Sequence, residues 1–347
     1  VSGEVGVGGG LVTAGRPSPV ARIDERTIAA LAIEIFVDEI GVSIVSLDGS
    51  IVGTARLERH RDRVAVEATV ADVARLLDRL DRHGAPRVER RLIGCGVSVP
   101  GLVREADGRV VVAPNLGWVD VALADELEVA IGGELPIWIG NDADLGALAE
   151  SRFGAGMESD QMVYVSGEVG VGGGLVTAGR PIVGTHGFAG EIGHLPVNPD
   201  GRQCRCGSVG CWETEVGEQA LLERAGLDPD GGRAAVDILL ERADAGDVAA
   251  VAALAAEARW LGIGIAGLIN VLDPDTVVLG GVFARILPAI QAALDDELAA
   301  RRYRSANRDV VVVGAELGPR AVTVGAAELA FGDLLDDPAR VMGVDDV

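Results

Sequence analysis

The sequence predicts an α/β protein whose chain folds into two similar lobes with a cleft between them. Each half of the chain opens with a group of strands joined by tight turns, continues into a helix and then alternates further strands with helices. The chain has 347 residues, which is long enough to build two hydrophobic cores. Two layered units of this kind commonly bind a ligand in the cleft that separates them.

Hydrophobic patterning defines the elements of the first half. Short runs of apolar and β-branched residues predict strands, with a tight turn at Asp48 and Gly49. Apolar residues that recur every three or four positions predict helices. The predicted strands are 31–37, 42–46, 51–57, 92–101 with its Pro-Gly turn, 110–112 and 135–139, and the predicted helices are 67–82, 122–131 and 143–152.

The second half repeats this order, beginning with two strands around a glycine-rich turn. Helices dominate residues 217–271, with breaks at 229–232 and at Gly246, where glycine and proline interrupt the pattern. The acidic tail after Gly332 is expected to be loose. The predicted strands are 161–166, 174–178, 276–279 and 309–313, and the later helices are 283–301 and 321–331.

A segment rich in cysteine and turn residues, at 185–218, indicates a metal site. Three of the four cysteines, Cys204, Cys206 and Cys211, fall close together, and His194 precedes the first of them by ten positions. Three thiolates and one imidazole complete a closed tetrahedral zinc site, which would be structural because no position stays open for a substrate. The alternative is a set of reduced surface cysteines with an unrelated histidine. The glycine spacing favours zinc, because it supplies the turns that gather four ligands.

Three carboxylates, Glu191, Glu213 and Glu215, flank this segment. Carboxylate oxygens accept hydrogen bonds, so each of these residues is a candidate for holding hydroxyl groups of a ligand. The alternative for any one of them is a solvated surface carboxylate.

Charge and composition limit the classes of partner. The formal net charge is −23, and so acidic a surface repels phosphate backbones, which argues against nucleic-acid binding by this chain. No run approaches about 18 uninterrupted apolar residues and no secretory signal opens the chain, so neither a membrane span nor export is expected. Cysteines grouped as metal ligands suit a reducing cytoplasm.

Residues 1–17 repeat residues 165–181 without a single change. An ancient structural repeat would have diverged, so a recent duplication, a recombination or a sequence-assembly error explains the identity. Only one copy can take a given place in the fold, and only the second has matching context on both sides. Residues 1–27 are therefore expected to be an atypical addition, made of the duplicate and a linker, either disordered or docked on a sheet edge.

Seven motifs occur in a fixed order along the chain. They are SVPGLV at 98–103, PNLGW at 114–118, GNDADLGALAE at 140–150, VGVGGGLV at 169–176, GFAGEIGH at 187–194, CRCGSVGCWE at 204–213 and NVLDPDTVVLGG at 270–281. Together they resemble the ROK family of sugar-responsive repressors, uncharacterised reading frames and sugar kinases, over about residues 28–332.

The resemblance implies the two-lobed actin-like ATPase fold that hexokinases share, with a sugar between the lobes and a structural zinc beside it. The implied parts are an N-terminal α/β lobe at 28–140, a C-terminal α/β lobe at 141–318 with its zinc loop at 194–211, and a C-terminal helix with an acidic tail at 319–347 that returns to the first lobe.

The resemblance also implies a sugar site. Asn141 and Asp142 match the family's Asn-Asp pair, whose aspartate in the kinases takes the proton from the sugar hydroxyl. Glu191 and His194 match its Glu-x-x-His, and Glu213 matches the glutamate after the last cysteine, so these three resemble ligands of sugar hydroxyls. His194 would then bind zinc through one ring nitrogen and face the sugar with its other side. Taken alone, Asp142 has a simpler interpretation as an acid capping a helix N-terminus.

Two phosphate-binding turns depart from the kinase pattern. Kinases of the family have Asp-x-Gly-Gly-Thr after the first strand, and residues 34–38 here read Glu-Ile-Phe-Val-Asp. Side chains therefore occupy positions where the backbone must come close to a phosphate. The second turn, 166–174, keeps its later glycines but has Val169 in place of threonine and Glu168 beside it. Phosphoryl transfer depends on positioning the phosphates and Mg²⁺. The nucleotide-binding positions that remain are Gly170, Gly172, Gly173, Gly280 and Gly281.

We expect a sugar-sensing, non-catalytic module of the transcriptional-regulator type, because the sugar and zinc motifs are kept and the phosphate turns are altered. The alternatives are an active sugar kinase that uses ATP and Mg²⁺ with Asp142 as its base, and a structural or scaffolding remnant that binds neither ligand. Repressors of the family carry a winged helix before the first strand. No such pattern precedes Ile28, so this chain is expected to bind a sugar but no operator DNA. A homo-dimer or tetramer is expected, without a membrane partner.

Overall fold

A computed structural model gives the fold of residues 28–59, 65–82, 91–104, 106–133, 135–303 and 309–338. The expectations for residues 1–27 and for the last part of the acidic tail lie outside these described residues.

The first half of the described chain forms a mixed sheet with helices, together with a small antiparallel sheet. Its first strand consists of apolar and β-branched residues apart from one glutamate, and all eight of its residues are buried, as in a strand covered on both faces. In chain order the elements are β1 Ile28–Ile35, β2 Glu39–Ser46, β3 Ile51–Glu58, α1 Val66–Arg82, β4 Arg91–Val99, β5 Leu102–Arg104, β6 Arg109–Ala113, β7 Trp118–Val121, α2 Leu123–Ile131, β8 Ile137–Asn141 and α3 Asp142–Phe153.

The second half forms another mixed sheet and a group of helices. A single 3-10 turn at Ile192–His194 opens the cysteine-rich segment, and a second at Gly318–Arg320 precedes the last helix. In chain order the elements are β9 Gln161–Gly167, β10 Val171–Thr177, β11 Arg180–Pro181, α4 Trp212–Glu215, α5 Glu218–Arg224, α6 Gly232–Asp244, α7 Val248–Leu272, β12 Thr276–Gly280, α8 Gly281–Arg301, β13 Val311–Gly314 and α9 Ala321–Asp336.

The two large sheets have the same topology. Their strand orders are β3-β2-β1-β4-β8 and β11-β10-β9-β12-β13. In each sheet the first three strands pair antiparallel along the chain, and the two later strands run parallel to the first. The duplicated α/β architecture predicted from the sequence is therefore confirmed. The carboxyl ends of β1, β4 and β8 meet at one edge, which places the Asn141–Asp142 pair there, beside the turn after β1.

The first sheet is covered on both faces. One face packs on α1 and α2, with Leu76, Leu77 and Leu127 among its buried residues. The other face packs on α9, where Ala330 and Phe331 are buried against the alanines of β1. This two-sided burial explains why β1 alternates large and small apolar residues instead of apolar and polar ones.

The core of the second half is dominated by α7 and α8, which pack against β9 and β12. By length and composition, α7 is the one described helix that could cross a membrane, and half of its most apolar window is buried inside the fold. Leu261 and Ile265 of this helix are fully buried, so the apolar composition of α7 is accounted for by core packing.

Helices α3 and α9 cross at close range between the sheets. A side chain at Gly325 would lie 1.9 Å from the backbone oxygen of Leu145, so only glycine permits this approach. Glu150, fully buried on α3, accepts hydrogen bonds from the backbone N–H groups of Leu317 at 2.8 Å and Glu316 at 3.1 Å. Helix α3, whose first turn lies at the candidate site, is thus fixed to the segment that leads into α9.

Three local expectations differ from the structure. Two strands of the small sheet, β5 and β7, were not predicted, because segments of three and four residues are too short to show alternation. The last helix does not end at 331 but continues to Asp336, because Leu334 is buried with Phe331 in the contact with the first sheet. The strand predicted at 174–178 begins at Val171, so the glycine run belongs to β10 and not to the turn before it.

Candidate functional site

A pocket lies where the carboxyl ends of β4 and β8 meet the loop before the 3-10 turn. It has walls from both halves of the chain and contains polar groups at the first turn of α3. Its lining residues include Leu102, Val103, Asn141, Asp144, Gly187 and Glu191.

Asn141 is the N-cap of α3. Its side-chain oxygen accepts hydrogen bonds from the backbone N–H groups of Ala143 at 2.8 Å and Asp144 at 3.3 Å. Its side-chain nitrogen donates to the backbone oxygen of Gly101 at 2.9 Å, in the Pro-Gly turn after β4. Asn141 therefore joins the first turn of α3 to the opposite wall of the pocket and sets the position of the residues that follow it.

Asp142 presents its carboxylate at the same helix end. One oxygen accepts a hydrogen bond from the backbone N–H of Ala143 at 2.9 Å. Burial raises the pKa of Asp142 to about 6, and the nearby negative charge of Glu191 adds to the effect. A carboxylate with a pKa near neutrality at a helix N-terminus can accept a hydrogen bond, or a proton, from a hydroxyl group.

Four candidate metal ligands come together in the cysteine-rich segment. The Nδ1 or Nε2 atom of His194 and the Sγ atoms of Cys204, Cys206 and Cys211 all lie within 4.8 Å of one another. Cys206 Sγ lies 3.6 Å from Cys211 Sγ, and Cys204 Sγ lies 3.7 Å from His194 Nδ1. Ligands bound to zinc at about 2.3 Å in a tetrahedron are separated by about 3.8 Å, so this donor set fits zinc in both chemistry and spacing.

The cysteine loop is held by backbone hydrogen bonds. Val197 N–H donates to Gly210 O at 3.0 Å, and Cys204 N–H donates to Ser208 O at 2.8 Å. Gly210 has a φ of +71°, and a side chain there would lie 1.6 Å from the backbone oxygen of Asn198. The glycine before the last cysteine is therefore required by the loop itself.

Glu191 and Glu213 contact His194 from two sides. Glu191 Oε2 lies 3.6 Å from His194 Nε2, and Glu213 Oε1 lies 3.6 Å from His194 Nδ1. Glu213 Oε1 also accepts a hydrogen bond from the thiol of Cys204 at 2.8 Å. The Nδ1 atom thus faces the cysteines, and Nε2 faces the glutamate that lines the pocket, so one histidine joins the metal cluster to the pocket wall.

Glu215 lies away from the pocket, in a buried polar network. Its carboxylate accepts hydrogen bonds from the side chains of Asn198 at 2.7 Å and Arg224 at 3.3 Å. Arg224 also pairs at 3.2 Å with Glu257, which is fully buried and accepts the backbone N–H of Gly217 at 2.9 Å. The suggestion that Glu215 binds ligand hydroxyls is therefore wrong: this residue ties the cysteine loop to α5 and α7.

An ion pair joins the end of β1 to β3. Glu34 is fully buried, and one of its oxygens lies 2.8 Å from Arg56 NH2, while Arg56 also pairs with Glu39. Burial raises the pKa of Glu34, and the positive charge of Arg56 opposes that shift. A side chain at Gly41, opposite Glu34 on β2, would lie 2.7 Å from the carboxylate, so this glycine makes room for it.

The turn between β9 and β10 carries Glu168 toward the end of β12. A side chain at Gly281 would lie 2.8 Å from Glu168 Oε1 and 2.1 Å from the backbone oxygen of Gly167. The Glu168 side chain is exposed to solvent, and desolvation by the protein atoms beside it raises its pKa to about 7. The positive charge of Arg233 acts in the opposite direction.

The glycines of β10 are packed against protein. A side chain at Gly172 would lie 2.7 Å from Ala143, and one at Gly173 would lie 2.3 Å from Ile192. A side chain at Gly170 would lie 2.9 Å from Glu213. The contact of β10 with α3 and with the cysteine-rich segment is therefore enough to explain the glycine run. No bound nucleotide is needed to explain it. Gly280 likewise faces the Tyr164 hydroxyl, 2.1 Å from where its Cβ would be.

Comparison with known proteins identifies close relationships in sequence and fold. The family model of the ROK family matches residues 30–332. A xylose repressor from Bacillus subtilis (strain 168) is 28% identical over 334 residues, which cover 95% of this chain and 84% of the repressor. A solved ROK family transcriptional regulator, a homologue of the E. coli MLC protein, has a TM-score of 0.76 at 26% identity, covering 88% of this chain and 78% of its own.

A catalytic relative is almost equally similar in fold. A ROK family glucokinase from Streptomyces griseus, solved with glucose and AMPPNP, has a TM-score of 0.74 at 29% identity, over 87% of this chain and 98% of its own. These similarities confirm the expected sugar-kinase-like α/β fold. They include both regulators and kinases, so the choice between the two activities depends on the residues of the cleft.

Proposed function

The chain belongs to the ROK family, and from this premise we propose that it is a sugar-binding protein of the transcriptional-regulator type that does not phosphorylate its ligand. The sugar occupies the pocket between the two halves of the chain. Its affinity comes from Asp142, Glu191 and Glu213, whose carboxylate oxygens accept hydrogen bonds from hydroxyl groups. Asn141 positions the first turn of α3, and His194 joins the pocket to the metal cluster.

The observation that carries this proposal is the altered end of β1, where the buried Glu34 is paired with the solvent-exposed Arg56 of β3. In kinases that the chain resembles, this turn brings backbone amides and a hydroxyl to the phosphates of ATP. Here Glu34, at the position of the kinase aspartate, is paired with Arg56, and Phe36 and Val37 replace the glycines of the turn. Leaving the fully buried Glu34 carboxylate without its counter-ion would be costly, so Glu34 is expected to keep Arg56 when a nucleotide is present.

The second phosphate turn supports the same conclusion. The Glu168 carboxylate lies against Gly281, on the side of the cleft where the resemblance places the nucleotide. A phosphate group entering this space would face a carboxylate at short range instead of the backbone amides and hydroxyl of a phosphate-binding turn.

The metal proposal is a structural zinc ion held by His194, Cys204, Cys206 and Cys211. The spacing of their ligand atoms supports this assignment. When bound, the zinc would cross-link a loop that has little apolar core of its own, and so fix Glu213 and the backbone around Glu191. A closed set of four protein ligands leaves no position for substrate.

We further infer that the lobes comprise residues 28–140 and 141–318, that residues after 318 return to the first lobe, and that the protein forms a homo-dimer or tetramer. The packing of α9 on β1 and β4 supports the return of the chain.

A sugar kinase is the second candidate. Asp142 keeps the place of the kinase base at the start of α3, and its pKa of about 6 suits proton transfer from a hydroxyl. ATP and Mg²⁺ would then bind across Gly170, Gly172, Gly173, Gly280 and Gly281.

Ligand-induced thermal stabilisation distinguishes the two candidates. Only a ligand that binds the folded state raises the unfolding temperature. We expect at least one neutral monosaccharide to raise it, and Mg-ATP to leave it unchanged both alone and with that sugar. Stabilisation by Mg-ATP that depends on Mg²⁺ would favour the kinase, and stabilisation by neither ligand would favour a scaffolding remnant.

A further inference from the structure

We propose that Glu257, on the long helix α7, is a positioning residue for the carboxylate of Glu213. It holds the one-turn helix α4 against α7, and α4 carries Glu213 to the side of His194. This inference rests on the proposed sugar-binding function and adds to it a buried residue that lies outside both the pocket wall and the metal cluster.

Helix α4 cannot fix Glu213 by itself. It spans only Trp212–Glu215, directly after the candidate metal ligand Cys211. A single helical turn is unstable alone, because its few hydrogen bonds do not offset the conformational freedom that is lost. The position of Glu213 therefore depends on the contacts that the two ends of α4 make with the rest of the fold.

The first end of α4 lies on α7 through Trp212. This side chain is fully buried, and its Nε1 atom donates to the backbone oxygen of Trp260 at 2.9 Å. A side chain at Gly264 would have its Cβ 2.1 Å from the Trp212 ring. The indole therefore lies directly against the backbone of α7, in a space that only glycine leaves open.

The other end of α4 is held by Glu257. Its Oε1 atom accepts the backbone N–H of Gly217 at 2.9 Å, and its Oε2 atom lies 3.2 Å from Arg224. Arg224 also pairs at 3.3 Å with Glu215, the last residue of α4. Glu257 therefore contacts the segment after α4 directly and the end of α4 through the shared arginine.

These contacts fall on one side of α7. Glu257, Trp260 and Gly264 follow one another at spacings of three and four positions, which places them on the same side of a helix. One side of α7 thus receives both ends of α4, and Glu257 supplies its ionisable group.

Burial raises the pKa of Glu257 to about 8, against the opposing effects of the hydrogen bond from Gly217 and the positive charge of Arg224. At neutral pH the carboxyl group therefore carries a proton, and Arg224 balances the charge of Glu215. A glutamine at position 257 has the size of this neutral carboxyl group and keeps an acceptor for Gly217. A leucine would leave that N–H group without a partner in the core.

Hydrogen exchange of the full chain, measured by mass spectrometry, tests whether Glu257 holds α4. In Glu257→Leu, we expect the backbone amides of residues 212–218 to exchange at least about tenfold faster than in wild type. Glu257→Gln should keep their exchange close to that of wild type. Glu328→Leu is the matched control, because Glu328 is a buried carboxylate on α9 that pairs with Arg152. It should leave the exchange of residues 212–218 unaltered.

A pair of glycines on α7 tests the same contact without changing Glu257. Gly264→Ala would push the Trp212 ring away from α7, whereas a side chain at Gly267 meets nothing within 4 Å. We expect faster exchange of residues 212–218 in Gly264→Ala and wild-type exchange in Gly267→Ala. This pair keeps the proposal testable if Glu257→Leu does not fold.

Calorimetric titration with glucose, xylose and N-acetylglucosamine measures the consequence for the pocket. For the sugar that binds wild type best, Glu257→Leu should raise the dissociation constant about tenfold, because the Glu213 carboxylate loses its fixed position. Gly264→Ala should have the same effect. Glu257→Gln and Gly267→Ala should bind that sugar with the affinity of wild type.

The possible outcomes separate this inference from the proposed function. Wild-type exchange in Glu257→Leu, or equal acceleration in Glu328→Leu, would contradict the role of Glu257 in holding α4. Faster exchange with unaltered sugar affinity would contradict the positioning of Glu213 and leave the sugar-binding function standing. If none of the three sugars binds wild type, the proposed function and the positioning role both fail, whatever the exchange shows.

Discussion

Glu34 ends the first strand with a carboxylate bound to Arg56 at 2.8 Å, and Gly41 on the neighbouring strand leaves room for it. Asp142 lies on the same edge of the sheet, at the start of α3, and has no arginine partner among its described contacts. The two carboxylates therefore differ in what they can do. The first is paired with an arginine of the fold, and the second can accept a hydrogen bond from a ligand.

Replacing Asp142 by alanine should weaken sugar binding. A hydrogen bond to a charged group contributes about 1.5–3 kcal/mol, so the dissociation constant should rise about tenfold to a hundredfold. Calorimetric titration measures this change. Asp125→Ala, at an exposed position on α2, is the control and should leave the affinity unaltered. Equal affinities for wild type and Asp142→Ala would place the sugar elsewhere.

Sugar binding should weaken as the pH falls below 6. The pKa of Asp142 is raised from 3.8 to about 6, so the carboxylate is ionised above pH 6 and becomes protonated below it. A ligand that needs the ionised form should lose up to about tenfold in affinity per pH unit below that value. Titrations between pH 8 and pH 5.5 measure this, and Asp142→Asn should flatten the dependence. A profile that is equally steep in the variant would assign the proton to another group.

The raised pKa of Asp142 affects folding stability in the opposite direction to ligand binding. Because the pKa of Asp142 is higher in the folded chain than in the unfolded chain, the folded state takes up the proton first as the pH falls. The unfavourable burial of this charge is therefore present above pH 6 and is relieved as the pH falls toward 4. Protonation of Asp142 therefore weakens ligand binding and stabilises the fold, as expected of a carboxylate whose role is in binding.

Sequence patterns located Asn141 and Asp142 at the start of a helix because both the motif and the strand-to-helix change are local. They did not reveal that Glu215 is buried, because its partner Glu257, reached through Arg224, is more than 40 positions away in the chain. An acidic residue beside a cysteine motif has the same appearance in sequence whether it faces a ligand or an internal arginine.

At the scale of elements, the cysteine loop and the crossing of α3 with α9 determine the site geometry. The loop is closed by backbone hydrogen bonds and by four candidate metal ligands. The helix crossing depends on a backbone contact at Gly325. The loop and the helix crossing each contain a tightly packed glycine. Replacing it can be compared with replacing a nearby glycine that has open space around it.

The loop should bind one zinc ion per chain, and Gly210→Ala should reduce that content. A side chain at Gly210 would overlap the backbone oxygen of Asn198, whereas one at Gly207 meets nothing within 4 Å, and both residues have positive φ. Gly207→Ala therefore controls for backbone strain alone and should keep more of the metal. Elemental analysis of protein purified without chelator measures the content, with Cys206→Ser as the variant that lacks a ligand. Wild-type protein without zinc would contradict the metal assignment.

Gly325→Ala should destabilise the fold by about 1–3 kcal/mol or more, because the added methyl group would force α9 away from the backbone of Leu145. Gly332→Ala in the same helix has open space and should instead stabilise by up to about 1 kcal/mol, since alanine favours helix. Chemical denaturation of both variants measures the two free energies of unfolding. Equal effects of the two substitutions would show that the crossing is not tightly packed.

Most long elements followed from periodicity, but of the small sheet β5-β6-β7 only β6 was predicted. Its pairing joins strands of three to five residues, which carry too few positions for alternation to be recognised. The extension of α9 to Asp336 depends on burial of Leu334 against the first sheet, a contact between distant parts of the chain.

At the scale of the whole molecule, each half of the chain contains a sheet of the same strand order, and both halves contribute residues to the pocket wall. The repetition of strand and helix patterns in the sequence predicted this duplication, because each half follows the same order of local signals. The charge of the cleft could not be predicted in the same way. It depends on Asp142, Glu168 and Glu191, which lie in three separate segments that only folding brings together.

The central claim is that this sugar pocket has no working nucleotide site beside it. The most direct measurement is mass-spectrometric detection of sugar phosphate after incubating the protein with Mg-ATP and a saturating concentration of the sugar that binds best. The account predicts no product above that of a protein-free control, although the sugar is bound. Sustained, ATP-dependent formation of sugar phosphate that disappears in Asp142→Ala would contradict it and establish the kinase.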